Sequence, residues 1–144
     1  MHGSKESHVI DRIRTAQREE SGFTLIELLV VVIIIGILAA IAIPVFLSQR
    51  ESAWRSSIES DLRNAATQFE TYYTDQDGYP PDGNASTGKT ELGSNSGVYV
   101  TVSDGVSLSW TVADAAYCIT GDHSDLDSSL YYDSDQGGLV DSCS

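Results

Sequence analysis

The chain has 144 residues and a formal net charge of −13, which is room for one small domain and too acidic a balance for a surface that tracks phosphate backbones, so direct nucleic-acid binding is not expected. After Leu47 the imbalance is sharper, with Arg50, Arg55, Arg63 and Lys89 facing sixteen Asp and Glu residues. The two cysteines, Cys118 and Cys143, have no neighbouring Cys or His of the kind a zinc site uses.

Residues 1–22 mix both charges without apolar periodicity and read as a polar leader whose role ends at cleavage. From Phe23 to Leu47 the chain is apolar, with a single ionisable residue, Glu27. At about 1.5 Å per residue that run makes a helix of roughly 37 Å, enough to cross a hydrocarbon core of about 30 Å with some tilt. A cleaved secretory signal would place its apolar core before the cut, whereas here the apolar run follows the join at Gly22, so the membrane segment is expected to stay in the mature protein. A carboxylate inside such a helix costs at least a few kcal/mol in lipid, which marks Glu27 as functional and calls for a partner cation.

The join Ser21-Gly22-Phe23-Thr24-Leu25-Ile26-Glu27, continued by Gly36-Ile37-Leu38-Ala39-Ala40-Ile41-Ala42-Ile43-Pro44, resembles the N-terminal region of the type IV pilin and pseudopilin superfamily. The resemblance covers Ser21 to Phe46. It implies cleavage after Gly22 by a prepilin peptidase, N-methylation of Phe23 as the new terminus, an assembly role for Glu27, and helix bending at Gly36 and Pro44. It also implies a leader on the cytoplasmic side and a single-pass precursor in the inner or cytoplasmic membrane. From there the subunit would pass to an extracellular pilus at the cell surface. Its implied partners are further copies of itself, other pilins, the peptidase, a membrane platform protein and an assembly ATPase. The implied work is adhesion, motility, DNA uptake or secretion, and the implied fold is α+β: a long N-terminal helix against a small antiparallel sheet with a C-terminal disulfide loop. The leader is longer than those common among pilins that begin with Phe.

Beyond Pro44 the all-round apolar character narrows to a stripe of Trp54, Ile58, Leu62, Ala65, Ala66, Phe69, Tyr72 and Tyr73, stepping by three or four residues, so an amphipathic helix is expected over 48–74. Glu51 with Arg55 and Glu59 with Arg63 stand four apart with the acid first, each supporting an exposed helical face by about 0.3 kcal/mol. Asp75 to Asn84 ends the helix, and the polar stretch to Gly97 reads as a loop. Val98–Val102, Val106–Val112 and Ala115–Thr120 read as strands of a meander, broken at Ser103-Asp104-Gly105 and Ala113-Asp114. Residues 121–144 are acidic and turn-rich, completing a region 75–144 of loop, sheet and tail. If this half lies outside the cytoplasm, Cys118 and Cys143 should oxidise, which stabilises the domain by about 3.5 kcal/mol in the chain-entropy model; two free buried thiols are the alternative.

Asp122, Asp125, Asp127, Asp133 and Asp135 are oxygen donors of the type Ca²⁺ takes, although their spacing is not that of an EF-hand and solvated turn aspartates are the simpler expectation. Asn84-Ala85-Ser86 fits the N-glycosylation pattern in a loop. His123, the only histidine after the join, is expected to be an exposed loop residue, and no serine or cysteine has an identifiable base, so no enzyme is expected. The competing class is a single-pass, membrane-anchored acidic binding domain that never polymerises.

Overall fold

The computed structural model describes residues 22–143; of the expected leader, residues 1–22, all but Gly22 lie outside the described residues. One helix, α1, runs Leu25–Gln76, and five strands follow: β1 Gly83–Glu91, β2 Tyr99–Ala113, β3 Ala116–His123, β4 Leu130–Asp133 and β5 Gly138–Val140. The chain divides into two compact units, one ending at Pro44 and one beginning at Val45.

In the first unit the helix presents its apolar residues to the outside all round, from Phe23 at 89 % to Val30 at 47 % exposure. The run is rich in Val and Ile, whose stiff side chains favour strands in water. In lipid a single segment has no other way to satisfy its backbone, so the medium selects the helix. The described helix is long and apolar enough to cross a membrane. It continues through Gly36 and Pro44, the latter an interior proline that lacks an N–H to donate.

In the second unit the helix buries Ile58, Asp61, Leu62, Ala65, Ala66 and Phe69, the offsets of one face of a 3.6-residue period. Trp54 and Tyr72 lie half-buried at the ends of this stripe, and Tyr73 is exposed. Asp77 ends the helix in a left-handed turn, φ 58°, with its N–H donating to the Tyr73 carbonyl at 3.0 Å.

The strands form one antiparallel sheet in the order β1-β2-β3-β4-β5. Along β2 the inward residues Val100, Val102, Val106, Leu108 and Trp110 are buried, while Tyr99, Thr101, Ser107, Ser109 and Thr111 face outward. Ile58, Leu62, Phe69, Leu92, Val100, Leu108 and Ile119 are fully buried together, each worth about 1.5–3 kcal/mol of apolar transfer. Cys118 and Cys143 are bonded, Cα atoms 6.1 Å apart, fixing the tail to β3.

Three sequence expectations change. Residues 83–91, read as loop, form β1, because the free edge of β2 supplies backbone partners to a segment whose only buried apolar side chain is Ala85. The break expected at Ser103-Asp104-Gly105 is instead an irregularity inside one long strand. There Asp61 accepts the Ser103 N–H and hydroxyl, and the Thr87 hydroxyl accepts the Gly105 N–H, so the backbone is satisfied without a turn. The turn-rich tail contains β4 and β5, which extend the meander by two short strands.

Candidate processing and assembly site

The residues of the join come together where α1 begins. Thr24 precedes the first helical residue, and its hydroxyl accepts the Glu27 N–H at 3.3 Å. The Glu27 carboxylate reaches back and accepts the Thr24 N–H at 2.8 Å and the Thr24 hydroxyl at 2.7 Å. This is a reciprocal capping box that satisfies two orphan donors of the helix start and sets a negative group against the positive end of the helix dipole. The carboxylate is therefore held at a fixed place, one turn from Phe23, at the head of an exposed apolar surface.

Among the described residues, a Cβ built on Gly22 meets nothing within 4 Å. Gly36 is equally open among the described residues, with nothing within 4 Å of a built Cβ. Phe23, Leu25 and Ile26 are exposed at 89 %, 81 % and 66 %, an apolar patch far larger than single scattered surface residues.

The five aspartates considered for calcium do not converge. Asp122 accepts the Ser129 hydroxyl on the outer side of β3. Asp133 is buried at the end of β4, where one oxygen accepts the Asp135 N–H at 2.9 Å and the other the Gln136 amide at 3.4 Å. Asp125, Asp127 and Asp135 are exposed. Among the described residues no three His, Cys, Asp or Glu side chains form a group able to hold a metal ion. The Asp133 carboxylate is spent on a turn, where its oxygen accepts the backbone N–H two residues on. Asn84 stands outward on β1, in a strand and not in a loop.

His123 also corrects an expectation. It is buried, 8 % exposed, with its ring stacked on Trp54 at 5.2 Å between centroids. Its Nδ1 accepts the Asp125 N–H at 3.1 Å. Sequence reasoning missed two further features. Asp61 is a buried carboxylate inside the apolar stripe, and a charged residue at a stripe position was the signal that could have found it. Glu70 accepts the Tyr117 hydroxyl at 2.9 Å and the Tyr79 hydroxyl at 3.2 Å, and burial followed by this carboxylate raises both phenols above their ordinary range.

A helix that begins bare and apolar, continues beneath a five-stranded antiparallel meander and is followed by a disulfide-closed tail defines the pilin-like α+β class. Residues 17–43 match the family model of the prokaryotic N-terminal methylation motif. Over 64 residues the chain is 41 % identical to the type II secretion system core protein G of Pseudomonas aeruginosa, covering 44 % of this chain and 45 % of that protein. It is 35 % identical over 94 residues to the type IV major pilin protein PilA of Myxococcus xanthus, covering 65 % of this chain and 43 % of that one. The core protein G of Dickeya chrysanthemi is 34 % identical over 64 residues, covering 44 % of this chain and 42 % of the relative. The chain thus spans less than half the length of each of these relatives. No solved structure matches it. Motif, fold and relatives thus agree in a likeness to type IV pilins and pseudopilins.

Proposed function

We propose that this chain is the non-catalytic structural subunit of a type IV pilus or pilus-like filament. It enters the cytoplasmic membrane as a single-pass precursor, is cut after Gly22 by a prepilin peptidase, is methylated at Phe23, and polymerises through its N-terminal helix into a filament at the cell surface. The observation that carries this is the placement of one fixed carboxylate, Glu27, at the head of a fully exposed apolar helix immediately after the Gly22–Phe23 bond. Cutting that bond creates an amine in the same layer as the carboxylate, and a charge unpaired in lipid costs several kcal/mol until a cation meets it. A neighbouring copy's terminus meets it at only one axial offset, so the pair sets the register of the polymer. A platform protein and an ATPase would supply the extraction work, and adhesion, motility, DNA uptake or secretion would follow from extension and retraction.

The alternative, an anchored binding domain that does not polymerise, is separated by Gly22→Leu. Mass spectrometry of the membrane fraction is expected to find the wild type beginning at methylated Phe23, and the variant uncut and absent from sheared fibres. A variant that stays uncut yet forms fibres at wild-type yield would contradict the filament reading.

A further inference from the structure

Leu47 is the last residue of the apolar run, and a groove of about 410 Å³ opens beside it, lined by Leu47, Glu51, Trp54, Arg55, Leu126 and Asp127, with Asp125 and Ser128 on its rim. Its volume is that of a small-ligand site. Arg55 is its cationic centre: Nη2 donates to the Ser128 hydroxyl at 2.9 Å and lies 3.4 Å from Glu51. Arg50, one turn nearer Leu47, packs on the Trp54 ring at 4.9 Å. Two of the four basic residues that follow Leu47 therefore stand here, in a region with sixteen acidic ones. Glu51, Asp125 and Asp127 supply the opposite charge, and Leu47, Trp54 and Leu126 an apolar lip.

From Leu47 to Arg55 the helix rises about 12 Å, so with the apolar run in a bilayer the groove begins at headgroup depth. A purely anionic ligand would meet three carboxylates. A zwitterion would meet complementary charge at both ends. We infer that the groove binds the headgroup of an aminophospholipid, phosphatidylethanolamine. Its phosphate would sit on Arg55 and Ser128, its primary ammonium on Asp125, Asp127 and Glu51, and the start of an acyl chain along Leu47 and Leu126. A quaternary ammonium is disfavoured because it seeks an open aromatic face, and Trp54 already carries Arg50 and His123. Extraction of the subunit into a filament removes it from this lipid, which gives the membrane-resident subunit a contact that the polymer lacks.

The inference rests on the membrane-inserted stage of the proposed function and not on polymerisation. The test is native mass spectrometry of the full chain released from detergent micelles containing dihexanoyl phosphatidylethanolamine or dihexanoyl phosphatidylglycerol. One phosphatidylethanolamine per chain is expected, held at least about tenfold more tightly than phosphatidylglycerol, with Arg55→Gln losing at least about tenfold for both lipids. Asp127→Asn is expected to erase the preference between them. Equal retention of the two lipids by the wild type overturns the proposal whatever the variants do. So does unchanged binding by Arg55→Gln, or a dimer mass that lipid does not displace, which would put a second copy in the groove. Membrane fractionation of the same cells distinguishes the two failures: a membrane-bound chain without headgroup preference sinks only the groove, and a chain absent from membranes sinks the reading beneath it.

Discussion

Asp61 lies in the middle of the buried helical stripe, 4 % exposed, and accepts two hydrogen bonds from Ser103, at 2.7 Å from the backbone N–H and 3.0 Å from the hydroxyl. Replacing Asp61 with Ala strands both donors and is expected to destabilise the folded head by about 2–3 kcal/mol, whereas Asn keeps one acceptor and should cost about half as much. Urea unfolding of the detergent-solubilised chain, followed by Trp110 fluorescence, measures the difference. Tyr117 makes the complementary point for pH. Burial first, then the hydrogen bond and charge of Glu70, raises its phenol above the ordinary value of about 10. The unfolded chain therefore releases this proton before the folded one does. The stabilisation is complete below about pH 10 and falls as pH rises beyond it, and Tyr79 acts in the same direction. Tyr117→Phe keeps the ring against Phe69. It is expected to cost about 1 kcal/mol at neutral pH and to flatten the loss of melting temperature above about pH 10.

Helix and sheet approach closely at Gly121, where a built Cβ would stand 2.5 Å from Ile58 Cγ2 and 3.3 Å from Leu62 and Leu108. Gly121→Ala is expected to cost about 1–3 kcal/mol through overpacking. Gly36→Ala, where nothing lies within 4 Å, should leave the melting of the head unchanged. The elements legible in the sequence were those that repeat a period: the stripe from Ile58 to Phe69, and the inward alternation of β2 on both sides of Gly105. The helix start was not read from Thr24 and Glu27, although the two have capping-box spacing. β1 was not legible, since Ala85 alone faces the core and its neighbours are residues that usually make turns. β4 and β5 were hidden for a similar reason: they are short, mostly half-buried, and exist because β3 offers an edge. His123 was misplaced because Trp54, far away in sequence, covers it. Asp133 looked like a ligand because composition records donors but not the backbone N–H it serves.

The molecule as a whole keeps its polar chemistry and its apolar exposure in separate stretches of chain. The second unit is satisfied internally: among the described residues no buried side-chain polar atom lacks a partner, and a disulfide closes its tail. The segment from Phe23 to Leu47 leaves its apolar surface uncovered, and at this size such a surface needs lipid or an apolar partner around it. On the filament reading proposed above, subunits leaving lipid for a polymer must stop at one offset, and a lone carboxylate in an apolar helix would supply that discrimination, because misregistered copies would leave it unpaired at a cost of several kcal/mol.

The direct measurement is the yield of sheared surface fibres, by electron microscopy and quantified by their main band, from cells carrying Glu27→Gln. Gln can still accept from Thr24, so the helix start is preserved while the charge is removed. The predicted result is normal cleavage after Gly22, a normal amount of protein in the membrane, and a fall in fibre yield of at least about tenfold. Fibres at wild-type yield and length would contradict the account.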